Sequence, residues 1–256
     1  MMPAARPCVS PFTAADLLEA WERAECATPA RRALLLLEAA HPEEVRAAFE
    51  QLRVSERDAL LLRLRQDLFG TQLRSVTPCP ACGQEVELTF QTSDLHPGGT
   101  PNANGDVFPF RTGRMSGTFR LPVSGDWLVV PPDLGDPEEV RDIIARRCLV
   151  SLEGGDDWAI GQTPPHEALA AIGAAIAECD ADAHTELAAS CPSCGNSWDA
   201  LFDIGSFLWR EIDADCRRLL RQVHRLASAY GWSEEEILGL SSQRRASYLA
   251  LVEQYE

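Results

Sequence analysis

Two short stretches decide how this chain is read: Cys79-Pro80-Ala81-Cys82-Gly83 and Cys191-Pro192-Ser193-Cys194-Gly195. Both are C-P-x-C-G turns. The C-x-x-C spacing turns two thiolates toward one point, and the glycine relieves crowding where the chain bends back. Two such turns supply four sulfurs at about 2.3 Å from a tetrahedral Zn²⁺. After the first, Val86, Leu88 and Phe90 alternate with polar residues as in a half-buried strand. Around the second, HTELAASCPSCGNSWDALFDI (184–204) has the same strand–turn–strand texture, so one small unit occurs twice. The expected fold is therefore α+β. A Cys₄ zinc ribbon holds one structural Zn²⁺ through Cys79, Cys82, Cys191 and Cys194. The 108 residues between Cys82 and Cys191 exceed any ribbon loop. They read as a mixed α/β insertion, about 96–183, that leaves the ribbon and returns to it.

A closed Cys₄ shell has no open position for water or substrate, so the metal reads as a staple and not as a catalyst. A redox C-x-x-C would open a helix in a βαβ setting, and neither turn does. His184, seven residues before Cys191, is the one conceivable substitute ligand. Of the remaining cysteines, Cys148, Cys179 and Cys216 continue apolar helical stripes and read as small core residues. Cys8 and Cys26 receive no role.

Working outward, residues 1–75 read as a helical region. Thr13 and Asp16 form an N-terminal cap with Phe12 placed to staple onto Leu17, opening a helix to about Cys26. A second helix covers roughly 29–40, and a third about 43–69, ended by Gly70. Within the insertion, HPGGTPNANGD (96–106) is a turn-rich loop. VFPFRTG, GTFRLPV and DWLVV read as short β segments. Asp136-Pro137-Glu138-Glu139 caps a helix to about Leu149, glycine and aspartate at 154–157 make a loop, and Thr163-Pro164 opens a helix to about Glu178. From 206 to 256 the chain is helical again. One long helix covers about 206–229, Trp232-Ser233-x-x-Glu236-Ile237 is a full capping signature, and SSQRRASYLALV forms the last helix.

Composition narrows the function. The 256 residues carry 23 basic and 39 acidic side chains, a formal charge of −16. All the basic residues are Arg, which excludes every lysine chemistry. Residues 76–205 hold six Arg against 20 acids, so −14 of the charge lies there. Such a field repels phosphates and makes nucleic acid a poor partner. No apolar run approaches the roughly 20 residues of a membrane span, and the first residues contain no apolar signal core. Nine cysteines without an export signal point to assembly in a reducing cytoplasm. No nucleophile elbow, dinucleotide fingerprint or phosphate loop is present, so neither an enzyme nor a small-molecule substrate is expected. Trp209, Tyr230 and Trp232 are candidate partner anchors, since aromatics dominate interface hot spots.

The order of these elements carries a resemblance. RDALLLRLRQDLFG (57–70) precedes the first knuckle, and FRLPVSGD (119–126) and PEEVRDIIARRC (137–148) follow it. FDIGSFLWREI (202–212) follows the second knuckle, with LLRQVHRLASAYGWSEEEILGLSSQRRASYLALV (219–252) after it. Over about 55–254 the chain resembles the T-even-type phage baseplate hub assembly family, found in contractile phages and phage-tail-like injection systems. The resemblance implies an assembly chaperone or minor baseplate component without catalytic activity, with baseplate or hub proteins as partners. The four knuckle cysteines carry over as ligands, and residues 1–54 lie outside the match. Retention in the particle is the alternative to a transient cytoplasmic role. An acidic insertion can shield a basic subunit from premature contact, which assigns a role to the acids between 126 and 157. The competing readings are a zinc-ribbon regulator that binds nucleic acid or another protein and, third, a zinc nuclease or peptidase.

Overall fold

The computed structural model describes residues 12–95, 107–154, 162–180 and 185–255. The loops expected at 96–106 and over most of 154–157, together with Cys8 and His184, lie outside the described residues. The protein mixes helices with short antiparallel strands and divides into two compact units, Met1–Glu44 with Gly205–Glu256, and Val45–Ile204.

The first unit is helical. Its helices are α1 (Ala14–Glu25) and α2 (Pro29–Ala40), then α7 (Ile204–Tyr230), α8 (Glu234–Leu238) and α9 (Ser242–Tyr255). Thr13 caps α1 in a reciprocal box with Asp16, as its spacing predicts. Ser233 and Glu236 do the same for α8. Leu34, Leu36 and Leu37 of α2, and Leu208, Ile212 and Leu226 of α7, are almost wholly excluded from water. In α7 those positions are 4 and 14 residues apart, close to whole numbers of turns, so one stripe is buried, whereas α2 buries every residue from Ala33 to Leu37 and is enclosed on more than one face. Trp21 donates its indole N–H to Asp213 at 3.0 Å.

The second unit holds the strands. Helix α3 (Arg46–Glu50) and helix α4 (Val54–Phe69) replace the single helix expected at 43–69. The break has a local cause. A continuous helix would spend the Leu52 carbonyl on the amide four residues later, but here it accepts from the Ser124 N–H at 2.7 Å and the Ser124 hydroxyl at 2.9 Å. Arg53 also bridges to Val123.

Strands β1 (Gln72–Pro78) and β2 (Glu85–Gln91) form one two-stranded antiparallel sheet, and β6 (Thr185–Ser190) and β7 (Ser197–Phe202) form another. Between them runs a three-stranded sheet of β3 (Phe108–Thr112), β4 (Met115–Phe119) and β5 (Leu149–Glu153), covered by α5 (Pro137–Cys148) and α6 (His166–Cys179). Its core is Phe110, Phe119 and Leu121 from the sheet side against Ala145, Ala168, Leu169 and Ile172 of the helices. Strand β5 was not foreseen, because Leu149–Glu153 directly continues a helix. DWLVV, expected as β, is instead a 3-10 turn, Ser124–Val129. The Asp126 carboxylate caps that turn by accepting from the Val123 N–H at 3.0 Å, which bends the chain away from a strand path. Helix α6 starts at His166, two residues later than the Thr163-Pro164 reading.

Asp126 is not free for the shielding role expected of the acids between 126 and 157. It is 1% exposed and held by Arg120 at 2.6 and 2.9 Å and by Arg147 at 2.8 Å. Cys148 and Cys216 are fully buried as expected, and burial pushes both thiols up to about 12. Cys179 is exposed. As the last residue of α6 it falls past the point where the Leu169/Ile172 stripe meets the sheet.

Candidate metal centre

The knuckles are the tips of the two hairpins, and they are built alike. In each, six residues join strands already in register, Pro78 opposite Glu85 and Ser190 opposite Ser197. The first cysteine donates its N–H across the turn, Cys79 to the Gln84 carbonyl and Cys191 to the Asn196 carbonyl, both at 2.8 Å. The knuckle glycine closes the inner turn by donating to the carbonyl of that cysteine, at 2.8 Å for Gly83 and 2.9 Å for Gly195. Both glycines have φ of 74°, a left-handed conformation that a β-carbon disfavours.

This geometry gathers the four sulfurs. Cys79, Cys82, Cys191 and Cys194 lie with their Sγ atoms within 4.8 Å of one another, and among the described residues they are the group found able to hold a metal ion. Across the hairpins, Cys79 Sγ is 3.7 Å from Cys194 Sγ, and Cys82 Sγ is 3.6 Å from Cys191 Sγ. A disulfide would need about 2.05 Å. A tetrahedron with metal–sulfur bonds of about 2.3 Å has edges of about 3.8 Å. The donor set therefore fits a thiophilic tetrahedral ion.

Burial is asymmetric. Cys79 and Cys191 are each 2% exposed and pack with Val86, Leu88 and Trp198, whereas Cys82 and Cys194 face solvent. Below the cluster, Phe90 and Phe202 join the hairpins edge to face at 5.3 Å between centroids. Trp198 and Phe202 were quoted in the sequence only as part of a phrase. Their place in this small core was visible, if at all, in the alternation of SWDALF.

The backbone is already organised for negative charge. Burial pushes Cys79 up, but the Ala81 and Cys82 N–H groups outweigh it and hold the thiol below its ordinary value. The Cys194 N–H, helped by that of Ser193, brings Cys191 down to about 7 against burial. The Gln84 N–H pulls Cys82 down, yet its interactions with the Cys194 and Cys191 thiols prevail and push it up to about 12. The Asn196 N–H likewise lowers Cys194, while burial and the Cys191 and Cys79 thiols leave it raised. As bare thiols, then, Cys79 and Cys191 are held below the ordinary thiol value and Cys82 and Cys194 above it. A cation that neutralises the cluster removes that conflict, because metal ligands must be thiolates.

With this geometry in place, comparison with known proteins is informative. A family model described as T4 bacteriophage base plate protein matches residues 35–209, more than half of the chain. The chain belongs to the T4 bacteriophage base plate protein family. The match takes in both knuckles and the whole insertion of this baseplate protein, and membership implies interaction with other baseplate components. No curated protein and no solved structure gives a significant match. No helix among the described residues of the baseplate protein is long and apolar enough to cross a membrane.

The aromatic candidates lie in the helical unit. Tyr230 and Trp232 stack at 4.7 Å, and Tyr248 of α9 meets both edge-on, at 5.6 and 4.8 Å. Tyr248 was not singled out in the sequence, since nothing local shows that α9 folds back onto Trp232. Tyr230 is 39% exposed. Trp209 is half-buried, with the Arg32 guanidinium over its ring at 4.6 Å.

Proposed function

We propose that this chain is a non-enzymatic assembly chaperone or minor structural subunit of the baseplate hub in a contractile tail or phage-tail-like injection system. Its knuckle hairpins make a zinc ribbon around one structural Zn²⁺. The observation that carries the reading is the family match across both knuckles. Four thiols that fill a tetrahedral shell support a staple role, because no position is left for water or substrate. Cys79, Cys82, Cys191 and Cys194 hold the ion. Tyr230 and Trp232, backed by Tyr248, are the partner anchor. Trp209 contributes less, because Arg32 already covers its ring. Assembly takes place in the bacterial cytoplasm, and neither nucleic acid, membrane nor small-molecule substrate is engaged.

Quantitative mass spectrometry of purified contractile particles against the producing-cell lysate tests this. A small fixed copy number in particles makes the chain a built-in subunit. Abundance in lysate with absence from particles, together with failed baseplates in a deletion strain, makes it a chaperone. Normal baseplates without the chain, and none of it in particles, sink the proposal. Elemental analysis of the purified chain should return one zinc per molecule.

A further inference from the structure

Helix α7 departs from the charge of the chain that contains it. Its exposed ionisable side chains are Arg210, Arg217, Arg218, Arg221 and His224, while Glu211, Asp213 and Asp215 are half-buried. Every exposed side chain on this 27-residue helix that can carry a charge near neutral pH is therefore basic, with Arg225 half-buried, in a chain of net charge −16. The row is also geometric. Positions 210, 214, 217, 221 and 224 fall on one face at 3.6 residues per turn, and the non-basic member, Ala214, is small enough to leave the face flat. Arg210 to His224 spans about 21 Å at about 1.5 Å per residue.

The row is only partly neutralised by the protein itself. Arg217 pairs with Asp213 at 3.0 Å and with Glu25 of α1 at 3.8 Å, and Arg218 pairs with Asp215. Arg210 donates its Nε to the Ser206 carbonyl at 3.3 Å. Among the described residues, neither Arg210 nor Arg221 has a carboxylate within ion-pair distance. We infer that the Arg210–Arg217–Arg221–His224 row of α7 docks an acidic segment of another baseplate subunit. The inference takes the baseplate setting from the proposed function and adds the chemistry of the partner.

Physical scale selects that occupant. The attraction of the row and the repulsion from the chain's excess of acids both reach about one Debye length, roughly 8 Å at physiological salt, so what counts is how far an approaching molecule's own negative charge extends past the row. Nucleic acid is a uniform polyanion with one charge per roughly 1.7 Å of duplex, so the parts beyond the row are repelled. A second copy of this chain brings its own −16 and meets the same repulsion. A protein whose acids are confined to one helix-length segment is attracted at contact and tolerated elsewhere. Carboxylates one turn apart on such a segment match the one-turn and two-turn intervals between the arginines. Most of α7 lies past residue 209, where the family match ends.

The test uses the full-length zinc-loaded chain and a fluorescent helical peptide of about four turns with Glu once per turn in an Ala/Gln background. Fluorescence anisotropy should show saturable one-to-one binding that weakens with added salt. The paired substitution Arg210→Glu/Arg221→Glu should weaken it at least about tenfold. Arg74→Glu, at an exposed arginine of β1, should leave it unchanged. Arg210→Gln/Arg221→Gln, the milder pair, must show a smaller loss in the same direction, and circular dichroism checks that each variant is folded. No peptide binding overturns the inference, and so does an equal loss in Arg74→Glu. Tighter binding of a duplex DNA oligonucleotide to the same row would assign the face to nucleic acid instead. A dimer in light scattering that the double variant abolishes would assign it to a second copy. Peptide binding retained by a chain absent from particles and dispensable for assembly would overturn the assembly reading and leave this surface standing.

Discussion

The two knuckle hairpins and the three-stranded insertion sheet are small β structures within one compact unit, but different physics holds each. The insertion has two helices over its sheet and a continuous apolar core, with Phe119 fully excluded from water. Its polar cross-brace, Asp126 between Arg120 and Arg147, is fully hydrogen-bonded. The hairpins have two strands each and a small buried core of Cys79, Val86 and Cys191 with Leu88 and Trp198 against it, continued by the Phe90–Phe202 ring pair. A two-stranded hairpin is marginal in water by itself. The insertion therefore has the means to hold its own fold, whereas the hairpins would gain most from the ion proposed for the four sulfurs.

The two glycine types make the same contrast. Gly83 and Gly195 are needed for their backbone angle, and a β-carbon on either would meet nothing within 4 Å. Gly117 of β4 is needed for space, since a β-carbon there would collide with the Ser151 carbonyl oxygen. One region is limited by turn geometry and the other by packing.

Three experiments would break or sharpen this comparison. The largest effect should come from chelating the metal proposed for the knuckles, or from Cys191→Ser. Structural zinc contributes roughly 10–16 kcal/mol in small zinc domains at neutral pH, as much as the whole stability of an ordinary domain, about 5–15 kcal/mol. Hydrogen exchange should show protection lost over 72–91 and 185–202 while 108–119 and 149–153 stay protected. If the insertion melts with the hairpins, the two are not separately held.

Next is Phe119→Ala. A fully buried Phe cut to Ala costs about 3–5 kcal/mol. The insertion should lose protection while the chain still binds one zinc, read by metal titration and exchange together. Loss of metal binding in the same variant would show that the hairpins need the insertion to bring their tips together.

The smallest effect is electrostatic. Burial opposes the charge on Asp126, but Arg120, Arg147 and the Val123 N–H overcome it and hold the carboxyl below its ordinary 3.8. A depressed folded value means that this contribution is present above the ordinary value and lost as pH falls through the folded one. Asp126→Asn should therefore destabilise the protein by about 3 kcal/mol at neutral pH. The gap between variant and wild type should close as the pH drops below about 4. A gap that persists in acid would mean that Asp126 acts through shape and not through charge.

Local chemistry was legible in the sequence wherever a few adjacent residues suffice. Thr13 with Asp16, Ser233 with Glu236, and Asp136-Pro137 mark helix starts because capping depends on neighbours three residues apart or fewer. The four cysteines were legible for a similar reason: each pair sits within one turn, and the repetition of the motif shows that the pairs belong together. The break at 51–53 was not legible, because its cause is Ser124, 72 residues away. Strand β5 was missed because its pairing partner, β4, is distant in sequence while the helix before it is adjacent. Asp126 looked like a surface acid until Arg120 and Arg147 were placed around it.

By itself, then, the sequence determined the knuckles, the helix caps, the apolar stripes and the sign of the charge, all consequences of spacing and residue type. Tertiary structure alone decided that the helices on either side of Val45–Ile204 share one compact unit, that Tyr248 completes a ring cluster with Tyr230 and Trp232, and that the acids of α7 are half-buried while four of its five arginines face water. The physical reason is common to all three. Burial and pairing depend on groups that the chain brings together only once it has folded, and a row of residues carries no mark of what will lie against it.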